Sequence, residues 1–342
     1  MVHKPPRMRN TEAMRLASAV AVLLLALTLP AAAAGDEFAP VDRRGPALSV
    51  PRAALEKALV CTGNLRGARL QPVLLVPGTN VTPQEFAWNY ARSFRQQTRP
   101  FCTVELPVQS TGDIQIAAEY VVFAIRTMAA QAHRRVDVMG HSQGGMLPRW
   151  ALRFWPDTRT LVDDLVGLAP SNHGTLVSAV TCNAGCPAAH RQQAAGSRFL
   201  QALNSRTETF AGVDYTSVYT HLDEIVVPNQ DSSGSSSLHG GRGRITNVAV
   251  QDVCPANTAD HLSIGTYDPV AYALTIDALD HPGPADPARV PAGTCTTPLH
   301  PGVEPTTFPT DEVATLTELV IAFQIAPSTT TEPPLRKYVF SG

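Results

Sequence analysis

The sequence predicts a mostly parallel α/β sheet with helices on both faces. Two observations carry that expectation. Short continuous apolar runs bounded by Pro and Gly alternate with stretches of helical period, and a glycine-flanked serine stands where one such run gives way to one such stretch. The bulk composition agrees: 44% of the 342 residues are hydrophobic and 16% charged, which excludes a collagen, a coiled coil or a disordered acidic tail. Lys and Arg (27) are matched by Asp and Glu (29), a near-neutral balance that argues against a nucleic-acid binder, which needs a basic face.

Pro72-Val73-Leu74-Leu75-Val76-Pro77 is an apolar run closed by prolines and followed by Gly78, the pattern of a strand buried on both faces. Residues 83–97, with Phe86, Tyr90 and Phe94, follow as a helix, and 101–106 as a second strand. Ile114, Ala117, Ala118, Val121, Val122, Ile125, Met128 and Ala129 recur at helical spacing and give one apolar face. Arg135 to Met139 is the next strand, 143–154 the next helix and 161–168 another strand. Further strands are expected at 216–222 and 244–250, and helices at 267–279 and 311–323. Small, polar stretches around 181–197 and 230–242 interrupt the alternation, so 171–212 and 229–243 stand as candidates for lid-like loops or for plain surface connections.

Lys4, Arg7, Arg9 and Arg15 precede an apolar run from Leu16 to Leu29, which ends in Pro30 and Ala31-Ala32-Ala33-Ala34. That is the three-part pattern of a secretory signal, cleaved after Ala34. The run is shorter than the roughly 20 residues that span a bilayer. Residues 1–34 are therefore expected to be the signal and 35–342 one exported domain without stable membrane insertion. In an oxidising compartment the six cysteines read as three disulfides. Six cysteines allow about 15 pairings, and spacing favours only Cys182 with Cys186, in a loop flanked by Gly and Pro. A zinc site there, with His190, is the competing reading, but it lacks a second cysteine pair.

Gly140-His141-Ser142-Gln143-Gly144 fits G-x-S-x-G in the context that the motif needs, a strand before and a helix after. The glycines leave room for a strained turn that lifts Ser142 above the sheet edge. Ser142 would also serve as a helix cap, yet a cap does not call for glycine on both sides. A serine hydroxyl needs a base held by a carboxylate, and with this motif they follow in the order Ser, Asp or Glu, His. Asp223, just past a strand, is the favoured acid over Asp214, Asp231 and Asp252. His261, past the strand 244–250, is favoured as base over His281 and His300. Oxyanion donors are expected from the N–H of Gln143 and from the loop Gly78-Thr79 after the first central strand, Thr79 adding a hydroxyl.

Leu74-Leu75-Val76-Pro77-Gly78-Thr79, Ser142-Gln143-Gly144-Gly145, Leu168-Ala169-Pro170, Asp223-Glu224-Ile225-Val226 and Asp260-His261, in this order, resemble the lipase B group of secreted lipases, from about Cys61 to Cys295. The resemblance implies an α/β-hydrolase fold and a hydrolase of carboxylic esters, above all triacylglycerols. It implies Ser142, Asp223 and His261 as catalytic triad and Thr79 with Gln143 as oxyanion hole. It also implies Cys61 paired with Cys102 and Cys254 with Cys295, leaving Cys182 with Cys186. Two departures bear on substrate: His141 stands where the group carries a bulky Trp on the alcohol side, and Ser171 replaces an acidic residue on the acyl side. A monomer needing no metal or organic cofactor, meeting a lipid surface only transiently, is expected. A short-chain carboxylesterase, a polyester depolymerase, or a non-catalytic binding protein on the same scaffold are the rival readings.

Overall fold

The apolar runs fold as strands covered on both faces, and alternation within them decides which core each side chain enters. In the computed structural model, which describes residues 37–341, Val73 and Leu75 join one core cluster while Leu74 and Val76 join the other. The proposed signal, residues 1–34, lies outside the described residues. The chain divides into residues 1–37 and 38–342, and the sheet with its helices belongs to the second unit.

Helix α1 (Arg52–Ala58) leads into β1 (Leu59–Thr62), then β2 (Val73–Val76), α2 (Tyr90–Gln96), β3 (Phe101–Val104), α3 (Ile114–Ala132), β4 (Val136–His141), α4 (Gln143–Phe154) and β5 (Val162–Leu168). The next segment holds three short helices, α5 (Leu176–Thr181), α6 (Ala188–Gln192) and α7 (Arg198–Leu203), with the two-residue strand β6 (Cys186–Pro187) between the first two. The chain then runs through β7 (Asp214–Tyr219), β8 (Arg244–Ala249), α8 (Val250–Val253), α9 (His261–Thr266), α10 (Pro269–Asp280), α11 (Phe308–Ile325) and β9 (Ser328–Thr329).

Seven strands form one sheet in the order β1-β3-β2-β4-β5-β7-β8, and β6 pairs with β9 apart from it. Only β1 runs antiparallel to its neighbour in the large sheet. This is the mixed, mostly parallel sheet of an α/β-hydrolase. One face is covered by α3 and α4, whose Val121, Ile125, Leu147 and Trp150 are buried, the other by α2 and α10 through Phe94 and Leu274. Helix α3 begins where the Asp113 carboxylate accepts from Gln115 N–H at 3.0 Å and ends where His133 turns left-handed, φ 53°.

Two expectations need correction. The helix expected over 83–97 is a 3₁₀ turn, Pro83–Phe86, followed by α2. The break falls where Asn89 leaves helical geometry and its side chain accepts from Tyr90 N–H. The strand expected over 216–222 runs from Asp214 to Tyr219. Within the loop candidate 171–212 lie the short helices α5, α6 and α7, and β1, an edge strand with Val60 exposed, was not expected. The sulfurs join as Cys61–Cys102, Cys182–Cys186 and Cys254–Cys295. Among the described residues no helix is long and apolar enough to cross a membrane.

Candidate active site

Parallel strands that end at one edge bring their following loops together, and that edge collects the residues of interest. Ser142 stands between β4 and α4 with φ 54° and ψ −121°. Its N–H donates to the Leu168 carbonyl at 2.8 Å and its carbonyl accepts from Gly145 N–H at 3.0 Å, which pins the turn to β5 and to the first turn of α4. The flanking glycines are there for want of space. A Cβ on Gly140 would strike the Gly144 carbonyl, and one on Gly144 would meet the Val76 and Pro77 carbonyls.

Asp223 follows β7 in a tight turn in which its Oδ1 accepts from Ile225 N–H at 3.0 Å and Val226 N–H at 2.7 Å. Its Oδ2 lies 3.0 Å from His261 Nδ1 and also accepts from Asn229 Nδ2 at 3.4 Å. His261 opens α9, where Asp260 caps the helix and the His261 N–H donates to Glu224 Oε2 at 3.1 Å. Both partners are buried. Burial opposes the charge on Asp223, but His261 and the two backbone donors outweigh it and hold its carboxyl below the usual carboxylate range. Burial likewise opposes the charge on His261, and Asp223, with Glu224 and Glu85 farther off, outweighs it, so the imidazole lies above its ordinary value.

The rival candidates sit elsewhere. Asp214 pairs with Arg244 at the start of β7, Asp231 caps an exposed turn, and Asp252 accepts from Ala249 N–H. His300 is buried against Tyr272 and bonded to the Thr266 carbonyl, and His281 is half-exposed beside Asp277.

Thr79 and Gln143 meet across the gap between the β2 loop and α4, through a residue that the sequence did not single out. Gln193, just past α6, reaches Thr79 Oγ1 at 2.9 Å and Gln143 Oε1 at 3.0 Å with its amide nitrogen, while its oxygen accepts from Ser171 Oγ at 2.8 Å. The Thr79 hydroxyl stands 3.4 Å from Gln143 Oε1. Glu85, in the 3₁₀ turn, was missed as well: it is 1% exposed and accepts from Gly78 N–H at 2.8 Å. Neither had a local signal, since a polar residue on a short helix reads as surface.

Ser142 and His261 both face a cavity of about 420 Å³. Its walls are apolar: Val177 of α5, Ile225 and Val226 after Asp223, and Leu316, Leu319, Val320 and Phe323 of α11. Helix α11 is held over the site by Trp88 Nε1 donating to Thr315 Oγ1 at 3.1 Å and by Thr82 N–H donating to Glu318 at 2.9 Å. Loop 229–243 lines none of this cavity, whereas α5 does. His190, weighed as a zinc ligand, instead bonds Asn80 Oδ1 at 3.0 Å and packs edge-on to Phe323. Among the described residues one carboxylate cluster has metal-like spacing, Asp137, Asp163 and Asp164, at the opposite edge of the sheet, where Gln71 and Arg135 bond to it.

The family model of the class 2 lipases matches residues 71–259. Lipase B of Pseudozyma antarctica is 34% identical over 220 residues, which are 63% of this chain and 64% of that protein, so the chain spans just under two thirds of the length of this relative. The crystal structure of Aspergillus fumigatus lipase B superposes with a TM-score of 0.78 at 30% identity, covering 86% of this chain and 73% of that one. The family match takes in more than half of the chain, including β2, β4, Ser142 and Asp223. The chain belongs to the class 2 lipase family.

Proposed function

We propose that this lipase is exported and hydrolyses carboxylic esters, triacylglycerols above all, through an acyl-enzyme on Ser142. The observation that carries the reading is the buried Asp223–His261 pair, whose His261 faces the same apolar cavity as a serine in a left-handed turn. Ser142 Oγ attacks the acyl carbonyl carbon while His261 Nε2 takes its proton, and Asp223, on Nδ1, fixes the tautomer and stabilises the imidazolium. The oxygen that turns negative accepts from the N–H groups of Gln143 and Thr79 and from the Thr79 hydroxyl. Thr79 Oγ1 accepts from Gln193, and its own hydrogen, given at 3.4 Å to Gln143 Oε1, turns to that oxygen when substrate is bound. Collapse breaks the bond to the alcohol, which leaves with the proton from His261. Water, deprotonated by the same imidazole, then attacks the acyl-enzyme, and Ser142 recovers its proton as the acid departs.

A lipid surface as the source of substrate is supported by the rim. Among the described residues, ten of the twelve exposed large apolar side chains fall on three segments that border the cavity: α5, residues 222–225 and α11. Clustered apolar exposure of this kind marks an interaction surface. Three disulfides fit an oxidising compartment, in keeping with the signal pattern before residue 35.

The test is hydrolysis of p-nitrophenyl esters from acetate to palmitate and of emulsified triglyceride by the mature chain, beside Ser142→Ala. Cleavage of long chains and emulsion, with an inert variant, is the expected result. Turnover confined to short soluble esters would make this a carboxylesterase, and equal rates in both proteins would remove Ser142 from the mechanism.

A further inference from the structure

Beneath the cavity, Glu85 ties three parts of the site together through His141. Its Oε2 accepts from Gly78 N–H at 2.8 Å, in the loop that carries Thr79. Its Oε1 lies 2.5 Å from His141 Nδ1. His141 immediately precedes Ser142, and its Nε2 lies 3.0 Å from the backbone carbonyl of His261. A carbonyl oxygen can only accept, so Nε2 carries a hydrogen. Nδ1 and Oε1 then share one more proton, as imidazolium with carboxylate or imidazole with carboxylic acid. In either form the pair holds two hydrogens and no net charge.

Packing leaves the ring nowhere else to go. His141 is 4% exposed, its centroid is 4.7 Å from that of His261, and a Cβ on Gly265 in α9 would collide with it. A buried ion pair is weak evidence for stability, since apolar residues of the same volume often hold a core as well. What apolar residues cannot do is fix a backbone N–H of one loop and a backbone carbonyl of another against the residue before the nucleophile.

We propose that Glu85 and His141 are positioning residues that hold the oxyanion loop and the base in register with Ser142. The proposal rests on the reading of Ser142 and His261 as nucleophile and base. Position, not charge, is the claimed role, and two mild substitutions separate them. In Glu85→Gln the amide oxygen accepts from Gly78 N–H and the amide nitrogen donates to Nδ1 of a neutral His141, so all three contacts survive without the charge. In Glu85→Asp the charge survives but the shorter side chain cannot reach both partners.

The experiment measures kcat and KM for p-nitrophenyl butyrate, per active site counted with a fluorophosphonate, for wild type, Glu85→Gln, Glu85→Asp, His141→Phe and the Glu85→Asp/His141→Phe double variant, with Ser142→Ala alongside. Expected is a kcat loss on the order of 10²-fold in Glu85→Asp and His141→Phe, KM within about threefold, rescue in Glu85→Gln, and a double variant no worse than the poorer single one. Wild-type kcat in Glu85→Asp, a Glu85→Gln loss as large as that of Glu85→Asp, or losses that multiply in the double variant would each overturn the proposal while an inert Ser142→Ala left the triad standing. A fully active Ser142→Ala would bring down the triad and the proposal together. If His141→Phe does not fold, the order of the two Glu85 variants still decides.

Discussion

His261 is pulled two ways, and the balance sets the pH at which the site can work. Burial disfavours its charged form, while Asp223, bonded to Nδ1 at 3.0 Å, favours it and prevails. As the proposed base, His261 must be neutral to accept the Ser142 proton, so kcat/KM should rise with pH along a limb whose midpoint lies above the ordinary histidine value of about 6.5. Asp223→Asn removes the favourable charge and leaves the burial. The midpoint should then drop below that value, and kcat should fall by about 10⁴-fold because the tautomer is no longer enforced. A pH–rate profile of both proteins checks this, and a midpoint that stays put would assign the limb to another group. Sequence marked these residues unequally. Ser142 was legible because its two glycines stand within five residues of chain, although the carbonyls that exclude a Cβ there include those of Val76 and Pro77 as well as that of Gly144. Asp223 and His261 were legible only by order and by resemblance, and Glu85 and Gln193 not at all, because the residues they hold at the site, Gly78 and Ser171 apart, lie 50 to 114 residues away.

Helix α11 shows what a helix does when its apolar side chains have no protein to meet. Of its eighteen residues only Thr315 and Ala322 are buried, while Val320, Ile321, Phe323 and Ile325 are each 44% exposed or more. A helix of that composition was legible as a helix, but its place over the cavity was not, since nothing in an apolar period says which surface it covers. The strands were legible for the opposite reason: β2, β4 and β5 are covered on both faces, so nearly every position had to be apolar or small. Ile321 and Ile325 face away from the cavity lining, which separates surface binding from chemistry. Ile321→Asp with Ile325→Asp should leave turnover of a soluble short-chain ester within about twofold, as exposed substitutions usually do. The same pair should lower turnover of emulsified triglyceride by on the order of tenfold, each exposed side chain withdrawing roughly 1 kcal/mol of apolar contact. Parallel rates on both substrates, tested side by side, would deny α11 a role at the lipid surface.

The sheet as a whole separates the proposed catalytic residues from a cluster of mostly buried carboxylates. Its C-terminal edge carries Ser142, Asp223 and His261, and its N-terminal edge carries Asp137 at the start of β4 and Asp163 and Asp164 at the start of β5. Asp137 Oδ2 and Asp164 Oδ1 are buried without a hydrogen-bond partner. Burial pushes Asp137 up to about 7, and burial with the neighbouring Asp137 and Asp214 charges pushes Asp164 up to about 9. A carboxyl raised in the folded chain binds its proton more tightly there than in the unfolded one. Its contribution to stability is complete below the unfolded value of about 3.9 and is lost as pH rises through the folded value. His190 and His300 have the opposite sign: burial lowers both to about 4, so their contribution is complete above about 6.5 and is lost as pH falls. Stability should therefore decline on the alkaline side through the acidic edge and on the acid side through the two histidines. Asp164→Asn tests the alkaline half. The variant should match wild type in melting temperature near pH 4 and exceed it by several degrees at pH 9, on the order of 2 kcal/mol for relieving a buried, unpartnered carboxylate. Ester turnover should be unaffected, because the substituted group lies across the sheet from the cavity. Melting curves taken from pH 4 to 9 that stay a constant distance apart would show that Asp164 does not titrate with folding.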